Sequence, residues 1–360
     1  MHVMASPAEI HQPRGARLET PDDPRYTAAV IPTNALDCLM QIAEERGANF
    51  SAWFNGLALT RAELNDATVR VSYREASLLI KRAMRGLAQN SLGLDVGRRQ
   101  SVGTFGVLGL AMMTARTFGE AMQIGIENHQ VAGSMMEVGF DVVDANAVAM
   151  VAEPRFIDGE ILPFLCEELF ISSLMVCRAL VGANFHPRYA EFTYPEPAWA
   201  DGYRDVFQCE IRFGMPQNRA VLDAAWMSYE LPTHHPVSAQ QALGLCRQMR
   251  ANVAGPQPEI VVAVERLLRS RLHENPTVTE VAQRLHLTER SLRRHLAAGG
   301  QIFRAMHDRI RTERALELLR AGQHTVSEIG SVIGFSDARE FRRAFKRWTG
   351  SSPCAMREMR

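Results

Sequence analysis

Residues 332–353 read VIGFSDAREFRRAFKRWTGSSP. At 100° per residue from Asp337 to Thr349, Phe341, Phe345 and Trp348 fall at i, i+4 and i+7 in one narrow stripe. Arg339, Arg342, Arg343, Lys346 and Arg347 cover the other side. Ser336 or Asp337 offers a side-chain oxygen to the free N–H groups of the first turn. Gly350 and Pro353 end the helix. A helix with one core face and one cationic face suits solvent, a membrane surface or a nucleic-acid groove. Its neighbours decide between them.

A near-copy lies upstream. Residues 277–296 read TVTEVAQRLHLTERSLRRHL, and residues 325–345 read TVSEIGSVIGFSDAREFRRAF. Each copy opens on T-x-x-E, the capping box in which Thr and Glu each satisfy the other's backbone N–H. Val278, Val281, Ala282 and Leu285 form an i, i+3, i+4, i+7 stripe, and Val326, Ile329, Gly330 and Ile333 repeat it. Ala282 and Gly330 are the small residues that let two helices cross closely. A short turn and a second, capped basic helix follow. Helix, tight turn, capped basic helix is the helix-turn-helix pattern, here at 277–298 and 325–348. Between the copies, residues 303–319 predict one long helix with Ile310, Ala315, Leu318 and Leu319 on its core side. A further amphipathic helix spans Ile260–Leu272.

The combined pattern resembles the AraC/XylS family of transcription regulators. The residues that carry the resemblance are R-x-x-x-A-x-x-L-L at 311–319, I-G-x-x-I-G-F-S-D at 329–337, F-R-R-A-F-K-R at 341–347 and T-G-x-x-P at 349–353. It covers about 100 residues, 259–359. Gly330 departs from the alanine common there, and Gly299-Gly300 follows the first basic helix. The resemblance implies that each basic helix enters one of two successive major grooves. Carried over, the DNA-facing residues are Thr288, Arg290, Arg293 and Arg294 in the first unit. Arg339, Arg342, Arg343, Lys346 and Arg347 serve the second. Arginine suits this work because its planar fork pairs with guanine O6 and N7 or holds phosphate.

Charge agrees. The chain is formally neutral, with 40 basic and 40 acidic residues, but 19 Lys and Arg stand against 12 Asp and Glu from Glu259 onward. That surplus of cations, offset by acidic excess upstream, points to an anionic partner. The longest apolar run, Phe105 to Met113, is far short of the roughly 20 residues that span a bilayer. None of the six cysteines shows C-x-x-C spacing, so no zinc knuckle or redox dithiol is signalled.

Upstream, residues 1–25 are rich in proline and predict a flexible tail. Residues 26–230 predict an α+β sensor and dimerisation domain. Helices are expected at 36–45, 73–87, 117–129 and 161–181. Strands are expected at 137–143 and 147–153, around a turn at Asp144-Ala145-Asn146, and again at 189–194, 211–213 and 220–222. Ser101 to Met113 reads as Gly-rich and apolar. Gly103-x-x-Gly106 with the later Arg116-Thr117-Phe118-x-x-Ala121 resembles an AraC subgroup with an arabinose-binding-like N-terminal half. The long helices argue against a mostly-β barrel. Residues 231–258 predict a linker, and 259–360 an all-α DNA-binding domain of two helix-turn-helix units joined by a long helix.

Other features invite function. Met112, Met113, Met135 and Met136 are candidates for an adaptable apolar pocket, although ordinary core is the favoured reading. His234-His235 reads better as solvated linker than as a metal site. Glu167-Glu168 reads as an exposed helix edge, since adjacent helical residues diverge. No nucleophile elbow, P-loop or dinucleotide fingerprint occurs, so no enzyme, cofactor or metal is expected. The leading expectation is a cytoplasmic, homodimeric regulator. Its N-terminal domain senses an unidentified small-molecule effector, and its C-terminal domain binds double-stranded promoter DNA and works with RNA polymerase, as an activator. The alternative is a ligand-independent regulator whose N-terminal half only dimerises.

Overall fold

The computed structural model describes residues 23–57, 59–66, 68–251 and 257–358. Residues 1–22 of the expected tail lie outside them, and Asp23 caps a short 3-10 turn at Pro24–Thr27. The chain forms two units, the second beginning its main run at Gln257.

The first unit is built on one long helix and one sheet. Strands β1 (Ile31–Pro32) and β2 (Arg70–Val71) pair antiparallel beside helices α1 (Asn34–Glu45) and α2 (Tyr73–Gly86). Helices α3 (Leu92–Arg99), α4 (Gly106–Thr114) and α5 (Phe118–Glu127) follow. The hairpin of β3 (Met136–Asp144) and β4 (Ala147–Pro154) turns at Asp144-Ala145-Asn146, where Asn146 N donates to Asp144 Oδ1 at 2.7 Å. Next come α6 (Leu162–Val181), β5 (Tyr189–Glu191), α7 (Ala200–Phe207), β6 (Glu210–Arg212) and β7 (Asn218–Asp223). The larger sheet has the order β3-β4-β7-β5-β6, with only β5 and β6 parallel. Helix α6 is apolar almost all round, the mark of a buried helix. Eleven of its twenty residues are buried.

Several expectations change. The strand expected over 189–194 ends at Glu191. Helices α3 and α7 were not foreseen. Ser101 to Met113 resolves into a 3-10 turn and α4. The expected linker at 231–258 contains helix α8 (Pro236–Ala251), with Ala242 and Cys246 buried. The proline that suggested a loop occupies N1, where its missing N–H costs nothing. His235 Nδ1 accepts from Ser238 N at 3.2 Å, and His234 Nδ1 meets the Thr114 carbonyl at 3.0 Å. The two histidines are exposed, as a solvated segment would be, but they lead into a helix and tie its start to α4.

Glu167 and Glu168 are also corrected. Glu167 is fully buried and Glu168 largely so. They do diverge, but α6 has no exposed edge at this level.

The second unit is all helix: α9 (Glu259–Ser270), α10 (Val278–Arg284), α11 (Glu289–Ala298), α12 (Phe303–Ala321), α13 (Val326–Val332), α14 (Ala338–Thr349) and α15 (Pro353–Glu358). One apolar core runs through it, including Leu268, Val281, Leu292, Ile310, Ile329, Phe341 and Phe345.

Candidate functional sites

Both repeats fold alike, for local reasons. Thr277 and Glu280 cap α10 reciprocally, and Thr325 and Glu328 cap α13 in the same way. Each turn then needs one residue in the left-handed region: His286 at φ 54° in the first and Gly334 at φ 85° in the second. Leu287 N donates to Ala282 O at 2.8 Å, and Phe335 N to Gly330 O at 2.9 Å. Thr288 and Asp337 are the N-caps of α11 and α14. A Cβ on Gly330 would stand 3.3 Å from Phe341 Cβ, so this pair of helices crosses closely.

The predicted apolar stripes are buried. Leu292, Phe341 and Phe345 have no appreciable exposure, and Trp348 packs at the margin of the core. Arg290, Arg293, Arg294, Arg339, Arg342, Arg343, Lys346 and Arg347 are all exposed. Arg293 pairs with Glu289 at 2.8 Å on its own helix. The other seven make no ion pair among the described residues. Thr288 is exposed, but its hydroxyl is engaged with Ser291, accepting from the backbone N at 3.2 Å and donating to Oγ at 3.0 Å. Away from α11 and α14, many arginines are neutralised. Arg269 and Arg309 share Glu265 and Glu313 across α9 and α12. Arg271 pairs with Glu274, and Arg314 with Glu317. Unshielded positive charge is thus concentrated on the two capped helices. Arg284 and Arg304 are also exposed and make no ion pair among the described residues, and sequence reasoning had not singled them out.

Arg311 has a different role. It is buried on α12, and no carboxylate lies within ion-pair distance of it among the described residues. Its Nε donates to the Ile333 carbonyl at 3.0 Å, and its Nη2 to Asn275 Oδ1 at 2.6 Å and the Gly334 carbonyl at 3.3 Å. The guanidinium lies 4.6 Å from the Phe335 ring centroid. One side chain of the connecting helix therefore fastens the second turn to the segment that leads into the first helix-turn-helix. A Cβ on Gly334 would sit 2.4 Å from the Leu272 carbonyl, so the backbones themselves touch. The signal was present: an arginine among Ile310, Ala315 and Leu318 sits on the core side of its helix.

The first unit holds a partly open cavity of about 120 Å³ between α4, α5, α6 and the sheet. Met112 borders it, joined by Met122 and Met150; the other methionines expected there, Met113, Met135 and Met136, are not among its lining residues. Among the described residues Glu168 is its only acidic lining residue, and no lysine or arginine lines it. Gln100 Nε2 donates to Glu168 Oε1 at 2.6 Å. Burial pushes this carboxyl up to about 7. Glu167, one residue earlier, points elsewhere. It accepts from Trp199 Nε1 at 2.6 Å, Tyr203 OH at 2.6 Å and Leu94 N at 3.2 Å. Burial holds it near 7 as well, against the pull of those three donors.

Among the described residues no group of His, Cys, Asp or Glu could hold a metal ion, and no helix is long and apolar enough to cross a membrane.

Comparison with known proteins matches residues 47–231, just over half of the chain, to the arabinose-binding domain of AraC transcription regulators. Residues 281–359 match a helix-turn-helix domain family. The ornithine utilization regulator of Pseudomonas aeruginosa is 28% identical over 333 residues, covering 92% of this chain and 98% of that protein. The transcriptional regulator VqsM of the same organism is 24% identical over 271 residues, covering 74% and 83%. The crystal structure of the transcriptional regulator CdpR from Pseudomonas aeruginosa covers 90% of this chain and 98% of its own, at TM-score 0.47 and 22% identity. These families and relatives are transcription regulators, not enzymes.

Proposed function

Because this chain belongs to the AraC family of transcription regulators, we propose that α11 and α14 read promoter DNA in successive major grooves, under control of a small molecule bound in the N-terminal unit. The observation that carries the DNA reading is the set of exposed cations, all but Arg293 without an ion pair among the described residues, on two helices whose opposite faces are core. Arg290, Arg293 and Arg294 serve one segment of the site. Arg339, Arg342, Arg343, Lys346 and Arg347 serve the other. Thr288 contributes as the cap that presents α11. Arg284 and Arg304 add phosphate contacts. The cavity beside Glu168 favours an effector sensor over a half that only dimerises. In this reading the protein is a cytoplasmic homodimer that activates transcription together with RNA polymerase.

The test is a binding-site selection from random duplexes with the full chain and its alanine variants. Arg293→Ala or Arg294→Ala should alter one segment, and Arg342→Ala or Arg343→Ala another about one helical turn away, or about 10 bp. Where an arginine reads guanine, its loss should cost about 1–3 kcal/mol and relax one base pair. Where it holds phosphate, affinity should fall on every sequence and the log–log salt slope should shrink by about 0.9. Identical loss patterns from the two repeats would refute the two-groove reading.

A further inference from the structure

We infer that the cavity between α4, α5, α6 and the sheet binds a small apolar molecule bearing one protonated amine, with Glu168 as its counter-ion. This deepens, and rests on, the reading of the N-terminal unit as an effector sensor.

Size sets the first limit. At about 120 Å³ the cavity is close to the roughly 150 Å³ that holds benzene in an engineered protein core. Its walls set the second. Leu108, Met112, Met122, Phe140, Met150 and Phe185 offer apolar contact, and the methionines can reshape around a guest. Charge sets the third. A carboxylate or phosphate on the ligand would join Glu168 with no lysine or arginine in the lining to offset either. His129, the one imidazole there, is already engaged: Nδ1 meets the Ile126 carbonyl at 2.6 Å, and Nε2 meets Glu137 Oε2 at 3.2 Å.

The contrast between two neighbours on α6 gives the direction. Glu167 is closed off by three protein donors. Glu168 has one, the neutral Gln100 amide, and borders empty space. A buried carboxylate with a single neutral donor is under-compensated. An ammonium supplies both the missing charge and the missing donors, in the strongest class of hydrogen bond.

Isothermal titration of the full chain at neutral pH with benzylamine, benzyl alcohol and benzoate tests this. Benzylamine should bind at least about tenfold more tightly than the alcohol, and benzoate should not bind. Glu168→Gln should abolish the preference for amine over alcohol while leaving alcohol binding in place. The three-probe comparison in the wild-type protein stands whether or not that variant folds. Equal binding of amine and alcohol, or preference retained in Glu168→Gln, would overturn the amine assignment and leave a ligand cavity standing. Binding of none of the three would overturn both the amine assignment and the cavity as an effector site.

Discussion

Two adjacent acids show how much depends on where one residue points. Glu167 and Glu168 were legible as diverging by about 100°, but not as buried. The cue lay in the helix around them: an acidic pair inside a segment apolar on every face has no water to reach. Burial is the first cause of both shifts, and it lifts each carboxyl to about 7 from a usual 4.5. A folded value above the unfolded one means the folded state keeps protons that the unfolded chain releases. Their contribution is therefore fully present below about pH 4.5 and is lost as pH rises through about 7, by about 3 kcal/mol per group. Urea unfolding followed by tryptophan emission should show the first unit losing stability across that window, since Trp199 donates to Glu167. Glu167→Gln should flatten part of the slope. Equal slopes in the variant and wild-type protein would show that Glu167 is ionised in the folded state throughout.

Elements were legible where their causes are local. The capping boxes, the two apolar stripes and the N-caps Thr288 and Asp337 all lie within a few residues of what they control. Leu292 and Phe341 anchor those stripes with essentially no exposure. Leu292→Ala and Phe341→Ala should each destabilise the C-terminal unit by about 2–5 kcal/mol in chemical denaturation, with the N-terminal transition unmoved. Wild-type stability in either would mean that the buried face has been misplaced. Helix α3 was illegible because its reason is distant. Gly93 and Gly97 look like helix breakers in a window of sequence, each costing about 1 kcal/mol relative to alanine. A Cβ on Gly93 would stand 2.6 Å from the Phe164 carbonyl and from Glu167 Oε2, and one on Gly97 2.8 Å from Ile171 Cβ. They are glycines because α6 lies against them. Gly202 in α7 is alike, its missing Cβ 2.7 Å from Leu94. Helix α8 was hidden differently: its Pro and His start resembles a loop, and only a few of its residues are buried.

At the scale of the whole molecule, the sequence announces a regulator through one unit and withholds its signal in the other. The cationic helices are a surface pattern, written in order along the chain. The cavity is assembled from segments between Ala35 and Leu222 and has no contiguous signature. What joins the two helix-turn-helix units is likewise non-local. Arg311 and the touching backbones at Gly334 and Leu272 make the pair one body. Such a body behaves as a gauge of fixed length. Two readers on a slack tether would tolerate a whole extra turn of DNA between their targets, because about 10 bp restores the face they share. A gauge cannot. Each added base pair rotates the far target by about 35° and moves it about 3.4 Å away, and a full turn repairs only the rotation. Operators lengthened by about 5 bp and by about 10 bp between the two segments should therefore lose affinity alike in gel-shift titrations. Arg311→Ala should recover part of the longer site by slackening the joint. Restored binding at about 10 bp in the wild-type protein would mean that the two units move independently on DNA.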